Sequence, residues 1–185
     1  MCGPALRYSL GVRILVTGGA GFIGSHVVDG FLREGHEVGV IDDLSTGNRA
    51  NLNEGARLYE YDIRDPGLDK VFAEFRPEVV DHHAAQSNVP ASVADPANDA
   101  SINVLGSLNL IKLAQKHGAK KFIYVSSGGA MYGEPEPSML PVPETAPVRP
   151  LSPYGATSGR PARPDRASWC PRSRAAPSRR RRTRI

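Results

Sequence analysis

Cysteine is almost missing from this sequence. Cys2 and Cys170 lie near opposite ends and share no metal-ligand spacing, which fits a reducing cytoplasm. No run approaches the ~18 consecutive apolar residues that a membrane span requires, so no membrane partner is expected. Met1 to Gly11 has no basic start followed by an apolar stretch, which excludes a secretory signal there. Residues 1–11 read as an unstructured leader.

What is present reads as one globular domain. The chain has 185 residues, 40% apolar and 23% charged, enough for a core. The net charge of +4 hides two unlike segments. Residues 1–158 hold 13 Lys and Arg against 18 Asp and Glu, whereas residues 159–185 hold 10 Arg and one Asp. An Arg-rich arm of that kind can bind nucleic acid. No aromatic except Trp169 interleaves the arginines, so an unstructured, solvated tail is the preferred reading.

Along the chain, short β-branched runs alternate with helical patterns. Strands are expected at Arg13–Thr17, Glu37–Ile41, Arg57–Tyr61, from Glu78 to Asp81, and at Lys120–Val125. Helices are expected at Ser25–Arg33, from Pro66 to about Phe75, and over Ala97–His117, where Ile102, Leu105, Leu108, Leu110, Ile111 and Leu113 are apolar. Pro135 to Pro153 reads as loop. This alternation predicts an α/β fold, a doubly wound parallel sheet with helices on both faces, over residues 12–158. After Ser158 the pattern stops. Gly159, Pro161 and further prolines preclude a long helix.

The most informative local feature is Gly18-Gly19-Ala20-Gly21-Phe22-Ile23-Gly24, placed between a strand and a helix. Gly18 can take the tight turn. Gly21 lets backbone approach a pyrophosphate, and Gly24 lets helix and strand pack closely. The helix N-terminus offers free N–H groups and a partial positive charge. Asp42 ends the second strand about 20 residues later, where an acid accepts adenosine ribose hydroxyls. Such a carboxylate repels a 2′-phosphate, favouring NAD over NADP, although Arg49 lies close by in sequence. As a plain alternative, Asp42 only caps a strand. The pair His82-His83 suggests no metal, because neighbours on a strand face opposite ways.

Six ordered motifs resemble a known family: Thr17 to His26, Ile41-Asp-Asp-Leu-Ser-Thr-Gly-Asn48, Asp62-Ile63, His82-His-Ala-Ala-Gln86, Ser126-Ser-Gly-Gly-Ala-Met-Tyr-Gly133 and Pro153-Tyr154-Gly-Ala-Thr157. The chain from about Val12 to Thr157 resembles an extended short-chain dehydrogenase/reductase of the NAD-dependent epimerase/dehydratase group. Within that group the residues are similar to the UDP-glucose 4-epimerases. The resemblance implies a Rossmann-like domain, NAD as cofactor and a nucleotide-sugar substrate, UDP-glucose or UDP-galactose.

It also implies roles by position. Gly18, Gly21, Phe22, Ile23 and Gly24 would contact the pyrophosphate. Asp42 would hold the ribose, with Asp43, Leu44, Ser45 and Thr46 on that side. Asp62 and Ile63 would meet the adenine. Ala84, Ala85 and Gln86 would border the nicotinamide, and Asn103 would support the site from the long helix. Ser127 aligns with the catalytic Ser or Thr, and Tyr154 with the catalytic tyrosine.

One family residue is missing. A free tyrosine titrates near ~10. The family lowers that value with a lysine four residues on, since nearby positive charge favours phenolate. Here that position is Ser158, and no lysine follows Lys121. The composition changes at the same place, so we expect a shifted reading frame near Ser158, an absent substrate domain, negligible epimerase activity and weakened NAD binding. The family's homodimer, to whose packing the tyrosine helix contributes, would be weakened too. Alternatives are another nucleotide-sugar epimerase, dehydratase or decarboxylase, or a non-catalytic NAD-binding module.

Overall fold

The structure, a computed structural model, describes residues 11–143 and 145–158. The expected leader up to residue 10 and the basic tail from residue 159, with Cys2 and Cys170, lie outside the described residues.

Five strands form one parallel sheet: β1 (Arg13–Thr17), β2 (Glu37–Asp42), β3 (Arg57–Glu60), β4 (Val79–His82) and β5 (Lys121–Tyr124). Their order is β3-β2-β1-β4-β5, and Thr17 pairs with Ile41 on one side and His82 on the other. The winding therefore reverses at β1, as the alternating pattern predicts. Ligands of such sheets lie beyond the C-terminal strand ends at this switch point.

Helix α1 (Phe22–Arg33) joins β1 to β2, and α2 (Leu68–Phe75) joins β3 to β4. Between β4 and β5 run α3 (Val89–Ala94), α4 (Pro96–Ala100), a π-helical turn (Ser101–Gly106) and α5 (Ser107–Lys116). Two short helices, α6 (Gly128–Tyr132) and α7 (Pro153–Thr157), follow β5.

The period of two along β1 sends its side chains into two cores. Leu15 joins Ile41, Val80, Phe72 and Phe75 beneath α2 and α5. Ile14 and Val16 join Val38, Val40 and Val28 beneath α1. Covering both faces explains why these strands are apolar throughout. Full burial of a side chain such as Phe72 or Leu15 contributes roughly 1.5–3 kcal/mol each.

The structure departs from the sequence reading in local detail. Helix α1 starts at Phe22 rather than Ser25, and α2 starts at Leu68, two residues past Pro66. There the Asp65 carboxylate accepts the Gly67 N–H at 2.6 Å, so a side-chain-bonded turn precedes the helix. Strand bounds move by a residue or two, with β2 reaching Asp42 and β4 reaching His82.

The expected single helix over Ala97–His117 is divided by the π-helical turn. Its cause is a long-range contact: the Asn103 amide accepts the Gln86 N–H at 2.9 Å and donates to the Gln86 carbonyl at 3.0 Å. The apolar positions face two ways. Leu110 and Leu113 are buried, while Leu105 and Leu108 are exposed. The expected loop after Pro135 contains a 3-10 turn at Pro137–Met139, and α3 and α6 lacked a periodic signal long enough to read.

Candidate functional site

A cleft of about 750 Å³ lies beyond the C-terminal ends of the strands. At its centre is the glycine turn. Gly18 has φ +70°, a left-handed conformation, and a Cβ there would lie 2.7 Å from the Ala84 nitrogen. A Cβ on Gly24 would lie 2.1 Å from the Gly18 carbonyl oxygen. Only residues without side chains let this turn fold so tightly.

Helix α1 opens directly from it. Its N-cap, Gly21, offers no side-chain cap, and its first turn holds no acidic residue. The first intrahelical bond is Ser25 N–H to the Gly21 carbonyl, at 3.0 Å. The preceding N–H groups of the turn have no helical partner, and Phe22, Ile23 and Gly24 line the cleft. This uncapped end of a 12-residue helix suits a diphosphate.

Asp42 borders one end of the cleft. Its carboxylate is buried and accepts the Ala20 N–H and the Leu44 N–H, each at 2.9 Å. A carboxylate has about four acceptor positions, so two remain for hydroxyl donors. It thus caps a turn and faces the cleft at once. Asp43, Ser45 and Thr46 also line this end, whereas Leu44 does not and sits in a left-handed conformation, φ +56°. Arg49 is held by Glu60 at 2.5 Å. Asp62 lies at the same end with Ile63. The hydrogen-bonded Arg64 side chain beside Asp62 holds its carboxyl below the usual range, outweighing partial burial.

The other end is built from β4, β5, the π-helical turn and α7. Ala84, Ala85, Gln86, Asn103, Ser127, Tyr154 and Ser158 all line it. Ser127 caps the start of α6, and its hydroxyl makes no hydrogen bond among the described residues. Tyr154 lies on the five-residue helix α7, and the Ser158 N–H bonds back to the Tyr154 carbonyl at 2.8 Å.

Beneath this end a polar chain runs through the core. The Ala84 N–H donates to Thr17 Oγ1 at 3.1 Å, and Thr17 Oγ1 lies 2.6 Å from His82 Nδ1. His82 Nε2 then donates to Ser107 Oγ at 2.9 Å, and Ser107 donates to the Asn103 carbonyl at 2.5 Å. With the imidazole neutral, Nδ1 accepts the Thr17 hydroxyl. Burial pushes His82 down to about 4, with neighbouring His83 acting in the same direction. Both ring nitrogens are engaged with hydroxyls.

The sequence reading missed Tyr124 and Ser126. Both line the cleft, and burial raises the Tyr124 phenol. Tyr124 follows from strand alternation, two residues before Ser126, but no motif marks it. A smaller cavity at the opposite end of the sheet is lined by Arg13, Arg76, Lys120 and Glu78, which pairs with Arg13 and Lys120. It lies where α2 and α5 end, and cations there complement the helix C-termini.

The sequence and the fold have close counterparts among known proteins. The model of the NAD dependent epimerase/dehydratase family matches residues 14–158. The chain belongs to this family. A putative UDP-glucose 4-epimerase of Methanocaldococcus jannaschii is 50% identical over 142 residues, covering 77% of this chain and 46% of that protein. The UDP-glucose 4-epimerase of Mycolicibacterium smegmatis is 47% identical, over 78% of this chain and 47% of that protein. Among solved structures, the Thermus thermophilus UDP-glucose 4-epimerase complex with NAD superposes with a TM-score of 0.76 at 48% identity, covering 79% of this chain and 47% of that one. A Thermotoga maritima UDP-glucose 4-epimerase with UDP-glucose also gives 0.76, at 50% identity, covering 79% of this chain and 47% of that one. The chain thus spans about half the length of the relatives it matches. Among the described residues, no helix is long and apolar enough to cross a membrane.

Proposed function

We propose that residues 12–158 are the NAD-binding unit of a cytoplasmic nucleotide-sugar 4-epimerase acting on UDP-glucose and UDP-galactose. The observation that carries this reading is the uncapped α1 N-terminus over the glycine turn, with Asp42 to one side and Tyr154 to the other. The cleft then holds adenosine at Asp42 and Asp62, diphosphate at Phe22 to Gly24, and nicotinamide at Gln86. Relatives with bound NAD and UDP-glucose support the ligand classes. The Asp42 carboxylate, with Arg49 already paired to Glu60, favours NAD over NADP.

Bound NAD supplies the hydride acceptor. The Tyr154 phenolic oxygen would take the proton of a sugar hydroxyl, and the Ser127 hydroxyl would donate to the reacting oxygen. Ser158 brings no positive charge to the tyrosine, so position 158 does not supply the cation that favours phenolate in the family. Cofactor binding therefore outlasts catalysis in our account. Exposed Val104, Leu105 and Leu108 form the apolar surface that a homodimer would cover.

The test is conversion of UDP-galactose to UDP-glucose by the purified 185-residue chain supplied with NAD. We expect bound NAD with negligible turnover. Robust turnover would overturn the role given to the missing lysine, and a folded chain that ignores NAD would overturn the site.

A further inference from the structure

Asp99 is fully buried and lies behind the cleft rather than in its wall. Three segments donate to its carboxylate. Gln86 Nε2, after β4, reaches Oδ1 at 2.9 Å, and Asn103 Nδ2, in the π-helical turn, reaches the same oxygen at 3.3 Å. Thr157 Oγ1, on α7, donates to Oδ2 at 2.6 Å. Asn103 Nδ2 also reaches Thr157 Oγ1 at 3.1 Å, which closes the cluster. None of the donors is a cation. Burying a carboxyl group is costly unless it is hydrogen-bonded, and an apolar residue would serve packing alone at least as well. What this arrangement gains is a fixed geometry. Gln86 lies in the cleft wall, and Thr157 stands between Tyr154 and Ser158 on the same turn.

We propose that Asp99 is a positioning residue for the nicotinamide end of the cleft. It ties the Gln86 segment and the Tyr154 helix to one point without touching a ligand. This rests on the reading of the cleft as an NAD site.

The experiment compares NAD with ADP-ribose, which carries the adenosine and diphosphate but no nicotinamide. Both are titrated calorimetrically into the full chain and its Asp99→Asn, Thr157→Val and Thr157→Ser variants. The unaltered chain should prefer NAD. Asp99→Asn and Thr157→Val should lose roughly 3- to 10-fold in NAD affinity, the worth of about one hydrogen bond, with ADP-ribose affinity unchanged. Thr157→Ser keeps the hydroxyl and should keep the preference.

Equal losses for both ligands, an unaltered preference in Thr157→Val, or a lost preference in Thr157→Ser would each overturn the proposal. If Asp99→Asn does not fold, Thr157→Val carries the test. A folded, unaltered chain that binds neither ligand would instead overturn the cofactor reading, and this proposal with it.

Discussion

The Ser126 hydroxyl donates to the Ser158 carbonyl at 2.6 Å, joining the end of β5 to the last turn of α7. That bond holds position 158 against the cleft, one helical turn from Tyr154 and buried. In our proposal this is the position of the lysine that the family resemblance implies, and serine stands there.

A lysine put there should act on the tyrosine. Ser158→Lys places a cation one turn from the phenol, and positive charge favours phenolate. With NAD and UDP-galactose, the variant should reduce NAD ~100-fold faster than the unaltered chain, the lower end of general-base effects. The gain should be largest near neutral pH and vanish in the double variant with Tyr154→Phe. Equal rates for the single and double variants would remove Tyr154 from the reaction.

Asp42 should decide between the two dinucleotides. Asp42→Asn removes the charge that, in our proposal, would accept ribose hydroxyls and repel a 2′-phosphate. Hydrogen bonds to a charged group contribute about 1.5–3 kcal/mol, so NAD affinity should fall ~10- to 100-fold. NADP affinity should fall far less, or rise. Calorimetry with both cofactors checks this, and an unchanged ratio would contradict it.

His82 makes the fold acid-sensitive. Its folded value, about 4, lies below the ordinary 6.5 of the free side chain. Its stabilisation is therefore complete above 6.5 and is lost as pH falls from 6.5 toward 4. Between pH 7 and pH 5 the loss should be on the order of 2 kcal/mol in urea unfolding. His82→Gln, which keeps one acceptor and one donor, should flatten this slope. A variant that keeps the full slope would show that another group titrates.

How much of this could be read from residues alone depends on range. The glycine turn and Asp42 were legible because a strand, a turn and a helix follow one another within a few residues. The doubly wound parallel sheet followed from the alternation of strand and helix patterns. The π-helical turn was not legible, since it depends on Asn103 meeting Gln86 across 17 residues. Nor was the Asp99–Thr157 bond, across 58. The motif around Leu44 marked a cofactor wall, but the left-handed backbone at that residue takes it out of the cleft while Asp43 and Ser45 stay. Periodicity marked Leu105 and Leu108 as apolar but could not say that they face outward.

The central claim is that a diphosphate rests on the open first turn of α1. Calorimetric titration of NAD into the folded chain and its Gly24→Val variant tests it most directly, because a side chain at Gly24 collides with the Gly18 carbonyl. The account predicts one NAD per unaltered chain and none for the variant. A folded chain that takes up no NAD, or a variant that binds it equally well, would contradict the account.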